Sequence, residues 1–371
     1  MRDGRGFGLA VAGGGTGGHI FPGLAVAREF RRREPGARVL YLGAAGRLEE
    51  RLVPREGAAV RFHGLRVRGI KGRGPLAALG SLALAARAFF ECRRVLGAFG
   101  ADLLLGTGGY SSGPAALAAR TLGVPVVLQE QNTVPGLTNR LLGRIARRVF
   151  VAFEPACAHF PARSAVVTGN PVRAEALGAG GEVGRGPALR VLVLGGSQGA
   201  HGVNRLVTEA LAPLAAEGVA AAFVHQSGEA ERDAVAAAYR RAGVSAEVAP
   251  FFDAMGERYG AADLVIARAG AGTIAEIAAN GRPAILVPFP HAAGDHQRAN
   301  ARWLAERGGA VVIEEAGPEA PRELARTVAA LARDRERLRA MAAAGAAVGV
   351  RDAAARIVEE CRALLGREQV A

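Results

Sequence analysis

Along the 371 residues, short apolar runs alternate with longer Ala/Leu/Arg stretches whose apolar positions recur at helical spacing. In the first half the runs predict strands at Gly8–Ala12, Val39–Leu42, Asp102–Leu105, Val124–Leu128, Val149–Val151 and Ala165–Val167. In the second half they predict strands at Arg190–Leu194, Ala222–His225, Ala246–Val248, Leu264–Ala267, Ala284–Val287 and Ala310–Ile313. Continuously apolar strands separated by helices mean parallel sheets covered on both faces. Gly178–Pro187, with five glycines in ten residues, reads as a linker. On either side of it the chain begins alike, with an apolar strand, a glycine turn and a helix: Leu9 to His19, then Val191 to Ala200. The expected fold is α/β, two doubly wound Rossmann-like domains facing a cleft, the first over residues 1–173 and the second over 174–349. Arg351–Leu365 reads as a terminal helix, and one place for this tail (residues 350–371) is back against the first domain.

Charge lies unevenly over this pattern. Residues 1–173 carry 25 cations and 10 anions, net +15, whereas residues 174–371 carry 22 and 24, net −2. The arginines are evenly spread, and it is acids that the first half lacks. Such one-sided charge implies a polyanionic partner, either nucleic acid or acidic lipid. From Arg61 to Arg94 eight cations accompany a single acid, Glu91, around an apolar stretch that opens at Pro75. Pro75 suits the first helical position, and Leu76, Leu79 and Leu82 then share one face. With Arg66, Arg68, Lys71 and Arg73 they read as an interfacial anchor on acidic lipid, against the plainer alternative of a crossover helix with a solvated basic flank. Arg140, Arg144, Arg147 and Arg148 form a second basic run. Only 5% of residues are aromatic and no RNA-binding or helix-turn-helix signature occurs, so nucleic acid is not the expected partner.

Other classes drop out. Lys71 is the only lysine and stands in Ile-Lys-Gly-Arg, which excludes a Walker A loop. Cys92, Cys157 and Cys361 are isolated and read as buried thiols of a reducing compartment. The longest lipophilic stretch, Leu76–Ala86, falls well short of the roughly 20 residues that a bilayer span needs. The expectation is a soluble chain held at a membrane surface. No D-x-D or H-E-x-x-H occurs, so neither a dedicated metal site nor any other cofactor is expected.

The chemistry concentrates where strands end. Gly13 to Gly18 matches G-x-G-x-x-G in form, but the second strand ends Tyr41-Leu-Gly-Ala44, without the acid that a dinucleotide's ribose requires. A backbone that approaches its ligand closely, with free N–H groups at a helix start, survives this test. His19 closes the loop and suits proton transfer near neutral pH. Asp263 to Glu276 reads as strand, glycine loop and a helix starting near Thr273, whose N–H groups can hold a diphosphate without metal. Glu276 is expected in that helix's first turn, there either to stabilise the macrodipole or to accept from a cis-diol such as a ribose. Gln129–Asn132, Thr168–Arg173 and Asp295–Gln297 likewise follow predicted strands.

Taken in order, Gly14-Gly-Thr-Gly-Gly-His19, Gly108-Gly-Tyr-Ser-Ser-Gly-Pro114, Glu130-Gln-Asn132 with Gly136-Leu-Thr-Asn139, and Gly169-Asn-Pro-Val-Arg173 resemble the MurG family. Gly195-Gly-Ser-Gln-Gly-Ala200, Arg268 to Glu276 and Asp295-His-Gln297 extend the resemblance, which runs from residue 9 to 345. These are the bacterial peptidoglycan N-acetylglucosaminyltransferases that convert lipid I to lipid II. The resemblance implies a glycosyltransferase fold of the B type, peripheral on the cytoplasmic face of the membrane, with UDP-N-acetylglucosamine held mainly by the second domain. It implies that Glu276 holds the ribose diol, that Ser197 and the amides of Ala271, Gly272 and Thr273 face the diphosphate, and that Arg173 and the Phe252 backbone lie by the uracil. Gln297 would read the sugar hydroxyls. Thr16, Gly17, Gly18 and Asn132 would come from the first domain, Tyr110 would lie on the acceptor and membrane side, and His19 would act as general base or orient the acceptor. One departure is local: the family often has Ser-Gly-Ala where this chain has Ala269-Gly-Ala271, which removes a hydroxyl but no amide. Still open are a nucleotide-sugar epimerase of the same fold, a glycolipid synthase with another acceptor, and a basic nucleic-acid binder.

Overall fold

In the computed structural model the described residues are 6–67, 75–195 and 200–366, with 75–82 described by their backbone only. Ser197, Arg68, Lys71 and Arg73 lie outside them, as do the side chains of Leu76, Leu79 and Leu82. The chain divides into two compact units, Met1–Val172 with Asp352–Ala371, and Arg173–Arg351.

The first unit runs β1 (Gly8–Gly13), α1 (Gly17–Arg33), β2 (Arg38–Ala44), α2 (Leu48–Leu52), β3 (Val60–Leu65) and α3 (Pro75–Phe99). It continues with β4 (Leu103–Gly108), α4 (Ser112–Thr121), β5 (Val126–Glu130), α5 (Leu137–Leu142), β6 (Arg148–Val151) and β7 (Ala165–Val167). All its strand pairs are parallel, in the order β3-β2-β1-β4-β5-β6-β7. Beyond the expected strands there is β3, which the search for continuous apolar runs misses. Its core-facing ends are Val60 and Leu65, while Arg61, Phe62, His63 and Gly64 between them are partly exposed, as suits a sheet edge. One face of the sheet is covered by α3, α4 and α5 through Cys92, Leu96, Ala115, Ala119 and Leu142.

The second unit runs β8 (Leu189–Leu194), α6 (His201–Ala216), β9 (Ala221–Gln226), α7 (Arg232–Ala242), β10 (Ser245–Ala249), α8 (Met255–Ala261) and β11 (Leu264–Ala267). Then come α9 (Ala271–Ala279), β12 (Ala284–Leu286), α10 (His296–Glu306), β13 (Ala310–Val312), α11 (Ala320–Arg333) and α12 (Arg335–Val348). Its parallel sheet has the order β10-β9-β8-β11-β12-β13. The last helix, α13 (Ala353–Leu364), belongs to the first unit. There Ile357, Val358 and Cys361 are buried with Ile20, Leu24 and Phe30 of α1 on the sheet's other face. Burying one such aliphatic side chain is worth about 1.5–3 kcal/mol, so α13 is an integral layer of that unit.

The glycine-rich stretch is not a free tether. It packs into the second unit, where Gly178 N–H donates to Asn280 Oδ1 (2.8 Å), Gly184 N–H to Asp263 Oδ1 (2.9 Å), and Arg282 to Gly181 O (2.7 Å). Its glycines serve close approach: a Cβ on Gly178 would stand 2.3 Å from Gly256 O of α8.

In both sheets the strand order reverses beside the first strand of the unit, between β1 and β4 and between β8 and β11. In open α/β sheets the crevice beyond the carboxyl ends of such strands is where ligands bind. The two glycine loops singled out from the sequence follow β1 and β8, and a second glycine turn follows β4 and β11 in each case.

Candidate functional site

In the second unit the helix expected near Thr273 begins two residues earlier, at Ala271, with Gly270 as its N-cap. Gly270 has no side chain to cap it and no acid lies in the first turn, so the orphan amides of Ala271, Gly272 and Thr273 face out with their partial positive charge uncompensated. Glu276 therefore lies in the second turn. Macrodipole stabilisation decays within the first turn, so that explanation of Glu276 loses its physical basis.

Glu276 Oε1 accepts from Arg173 Nη2 (3.3 Å), and Glu276 Oε2 from the hydroxyl of Tyr259 (3.1 Å). Burial pushes the carboxyl above the usual glutamate range, opposed by the Arg173 guanidinium and by the two hydrogen bonds. A half-buried carboxylate with an acceptor position left on each oxygen is suited to two vicinal hydroxyls. Phe252 is buried, its N–H donates to Gln226 Oε1 (3.1 Å), and Arg258 lies over its ring at 4.4 Å.

Gln297 stands in the first turn of α10, and its Oε1 accepts the N–H of Phe289 (3.0 Å). With the oxygen engaged, Gln297 presents its amide N–H groups. The residue that organises this corner is Arg268, whose role is not evident from its place in the Arg268–Glu276 motif alone. Its guanidinium donates to the carbonyls of Val287 (3.3 Å) and Pro288 (3.2 Å), pairs with Glu315 (2.5 Å) and lies 5.4 Å from the Phe289 ring centre. A cavity of about 470 Å³, lined by Gly195, Ala200, His201, Arg268, Phe289, Gln297 and Glu315 among others, adjoins these groups and falls within the size of small-ligand pockets.

In the first unit the loop after β1 differs from its sequence-based reading in one respect. Glu49, from α2, turns beneath the loop and is fully buried. Its carboxylate accepts Ala44 N–H (2.8 Å) and Gly15 N–H (3.2 and 3.3 Å to the two oxygens), and a Cβ on Gly14 would meet its Oε1 at 2.0 Å. One loop amide is thus already taken, and by a negative group, which makes this loop a poorer seat for phosphate than the start of α9. The acid stands five residues after the end of β2, not at the strand end where a dinucleotide fold carries its own.

Thr16 is the N-cap of α1, Gly17 and Gly18 open the helix, and His19 follows, half-buried. His19 Nδ1 lies 3.2 Å from the carbonyl of Gly14 and 3.3 Å from Thr16 Oγ1. A carbonyl only accepts, so the proton of the neutral ring is on Nδ1 and the lone pair on Nε2. Nε2 lies over Gly108, where a Cβ would approach it to 3.1 Å and where φ is +101°, so only glycine admits the ring. Asn132 is held by the buried Glu130, whose carboxylate accepts the Asn132 N–H (2.9 Å), Asn132 Nδ2 (3.3 Å) and Asn139 Nδ2 (2.9 Å). Tyr110 is 56% exposed and Arg66 is exposed. The structure thus brings together Arg173, Glu276 and the start of α9 in one unit, and His19, Thr16 and Gly108 in the other. Among the described residues no group of three or more His, Cys, Asp or Glu is placed to hold a metal ion.

The descriptions of two family models match the chain: the glycosyltransferase family 28 N-terminal domain over residues 9–151 and the family 28 C-terminal domain over residues 190–357. A protein of Geobacter metallireducens named UDP-N-acetylglucosamine–N-acetylmuramyl-(pentapeptide) pyrophosphoryl-undecaprenol N-acetylglucosamine transferase is 43% identical, over 95% of this chain and 97% of its own length. The crystal structure of Acinetobacter baumannii MurG is 33% identical with a TM-score of 0.78, covering 96% of this chain and 99% of that one. The chain belongs to the MurG family of glycosyltransferases. A relative with the same long name in Myxococcus xanthus is 41% identical over 95% of this chain and 92% of its own. The two parallel α/β units are the B-type fold of the MurG family. A UDP-N-acetylglucosamine 2-epimerase from Neisseria meningitidis, 14% identical with a TM-score of 0.66, shares only the fold with it.

Proposed function

We propose that this chain is a hexosyltransferase that moves N-acetylglucosamine, with inversion, from UDP-N-acetylglucosamine to the 4-hydroxyl of the N-acetylmuramoyl group of lipid I, giving lipid II for peptidoglycan synthesis. The observation that carries the donor side is α9: an uncapped start for the diphosphate, with the Glu276 carboxylate in the next turn for the ribose. In this reading Arg173 and the Phe252 carbonyl flank the uracil and Gln297 donates to the sugar hydroxyls.

As the acceptor oxygen attacks C1, the bond from C1 to the diphosphate breaks and negative charge grows on UDP. Amides already oriented at the start of α9 stabilise that charge without reorganising, which favours the transition state over the bound substrate. The attacking hydroxyl loses its proton, and Nε2 of His19 takes it or orients the oxygen, with Thr16, Gly17, Gly18 and Asn132 shaping the loops of that unit.

The acceptor is a lipid pyrophosphate, and the first unit has a surface to match. Phe90 of α3, Leu117 of α4, and Leu137 and Leu141 of α5 are exposed apolar residues on helices covering one sheet face. Arg87, Arg93, Arg94, Arg120, Arg140 and Arg144 are exposed on or beside the same helices. We place this face on the anionic cytoplasmic leaflet, which makes the enzyme peripheral. No helix among the described residues is long and apolar enough to cross a membrane.

Incubated with the donor and a lipid I analogue, the chain should yield a product heavier by one N-acetylhexosamine, read by mass spectrometry. An unchanged analogue contradicts the function. In the same assay His19→Ala should lose more than tenfold in turnover, about 1.4 kcal/mol, with donor affinity kept. A smaller loss excludes His19 as the base.

A further inference from the structure

We infer that Tyr259 is a positioning residue of the nucleotide site: its hydroxyl aims the Glu276 carboxylate at a vicinal diol and so sets the site's preference for a ribonucleoside diphosphate over a deoxy one. The inference rests on the proposed reading of Glu276 as the ribose acceptor.

Tyr259 lies on α8 with its ring fully buried, and its hydroxyl donates to Glu276 Oε2 at 3.1 Å. A buried phenol needs an acceptor, and a backbone carbonyl would serve its own solvation equally well. Bonding a carboxylate instead does something for the carboxylate. An ionised carboxylate has about four acceptor positions. Tyr259 occupies one on Oε2 and Arg173 one on Oε1, so each oxygen keeps one for a diol. With both bonds made, the carboxylate plane cannot turn about its last torsion without breaking one of them. Arg173 alone, with its side chain 27% exposed, holds only one end of the group.

The element carrying Tyr259 is itself fixed. Gly256 O and Gly260 O of α8 lie against Gly178 and Gly181, where a Cβ would stand 2.3 and 2.4 Å from them. Arg258, the neighbour of Tyr259, is bonded to both carboxylate oxygens of Glu247 of β10 (2.6 and 2.7 Å). The tyrosine hydroxyl therefore acts from a rigid base, which positioning requires.

Tyr259→Phe keeps the ring and removes one donor. Calorimetric titration of the full chain with UDP, and with 2′,3′-dideoxy-UDP as the probe lacking the diol, separates positioning from packing. UDP should bind roughly tenfold more weakly to Tyr259→Phe, the scale of one hydrogen bond to a charged group, while dideoxy-UDP binds as before. On a Glu276→Gln background the same substitution should cost little more. The UDP-to-dideoxy ratio, in which phosphate titration cancels, should also begin to fall at a higher pH in Tyr259→Phe, because a donor to the charged carboxylate is gone. Equal weakening of both ligands, or an unchanged ratio, overturns the inference and leaves Tyr259 a packing residue. A wild-type chain that binds UDP and dideoxy-UDP alike overturns the ribose reading of Glu276 itself.

Discussion

At the scale of single residues, Glu276 carries its carboxyl in surroundings that disfavour the charged form. Burial raises its pKa above the usual glutamate range, so the folded state binds this proton more tightly than the unfolded chain does. By linkage the carboxylate lowers stability at neutral pH, and the wild-type chain gains stability as pH falls from the raised value toward 4.5. Glu276→Gln should therefore melt at or above the wild-type temperature near pH 7, with the gap closing on acidification, while binding UDP roughly 10- to 100-fold more weakly, as expected for lost charged hydrogen bonds. Thermal melts across pH beside UDP titrations check both halves, and a variant that is less stable and binds normally refutes the assignment. Glu49 is the opposite case. Its carboxylate is enclosed by the loop it serves and accepts two backbone N–H groups, so it belongs to the architecture of the glycine loop. Both acids are visible in the sequence, but only the hydrogen-bond geometry separates one bonded to two side chains from one that completes a turn.

At the scale of elements, the helices α3, α4 and α5 combine buried apolar residues on one side with exposed leucines, a phenylalanine and arginines on the other. Exposed apolar residues beside cations are costly in water and favourable at an anionic bilayer surface, where each cation near the surface adds about 1 kcal/mol. Binding to vesicles containing phosphatidylglycerol should fall steeply with salt, and Leu117→Glu or Phe90→Glu should weaken it severalfold at constant UDP affinity. Salt-independent binding that survives both substitutions would remove the membrane reading. Apolar runs locate most of the strands, and proline's preference for the first helical position locates the start of α3 at Pro75. The search for such runs passes over β3 because Arg61, His63 and Gly64 break up that strand's apolar positions, and Gly178–Pro187 reads as a linker because glycines that admit a neighbouring backbone look like glycines that confer freedom. α9 starts two residues ahead of its expected place for a related reason: an N-cap glycine leaves no side-chain signal. The shift mattered, because it carried Glu276 out of reach of the macrodipole.

At the scale of the whole molecule, the charge division of +15 and −2 about residue 173 falls beside the boundary between the two units at Val172 and Arg173. The net-neutral unit carries the groups suited to a nucleotide, and the basic one carries the surface suited to an anionic lipid. The doubly wound topology was legible because parallel strands must be apolar throughout. The positions of the glycine loops were legible because strand ends are where such sheets bind ligands. Tyr259, Arg268 and Glu49 were not, because each acts through a partner distant in sequence, and only the folded chain brings Tyr259 beside Glu276. What unites the two units is transfer from a nucleotide sugar to a lipid-linked one. Acceptor-dependent release of UDP tests this most directly, with purified chain, UDP-N-acetylglucosamine and a lipid I analogue in anionic micelles. The account predicts slow UDP release without the analogue, a rate that rises and saturates with it, and one UDP per disaccharide formed. Release at the same rate with and without the acceptor would contradict it.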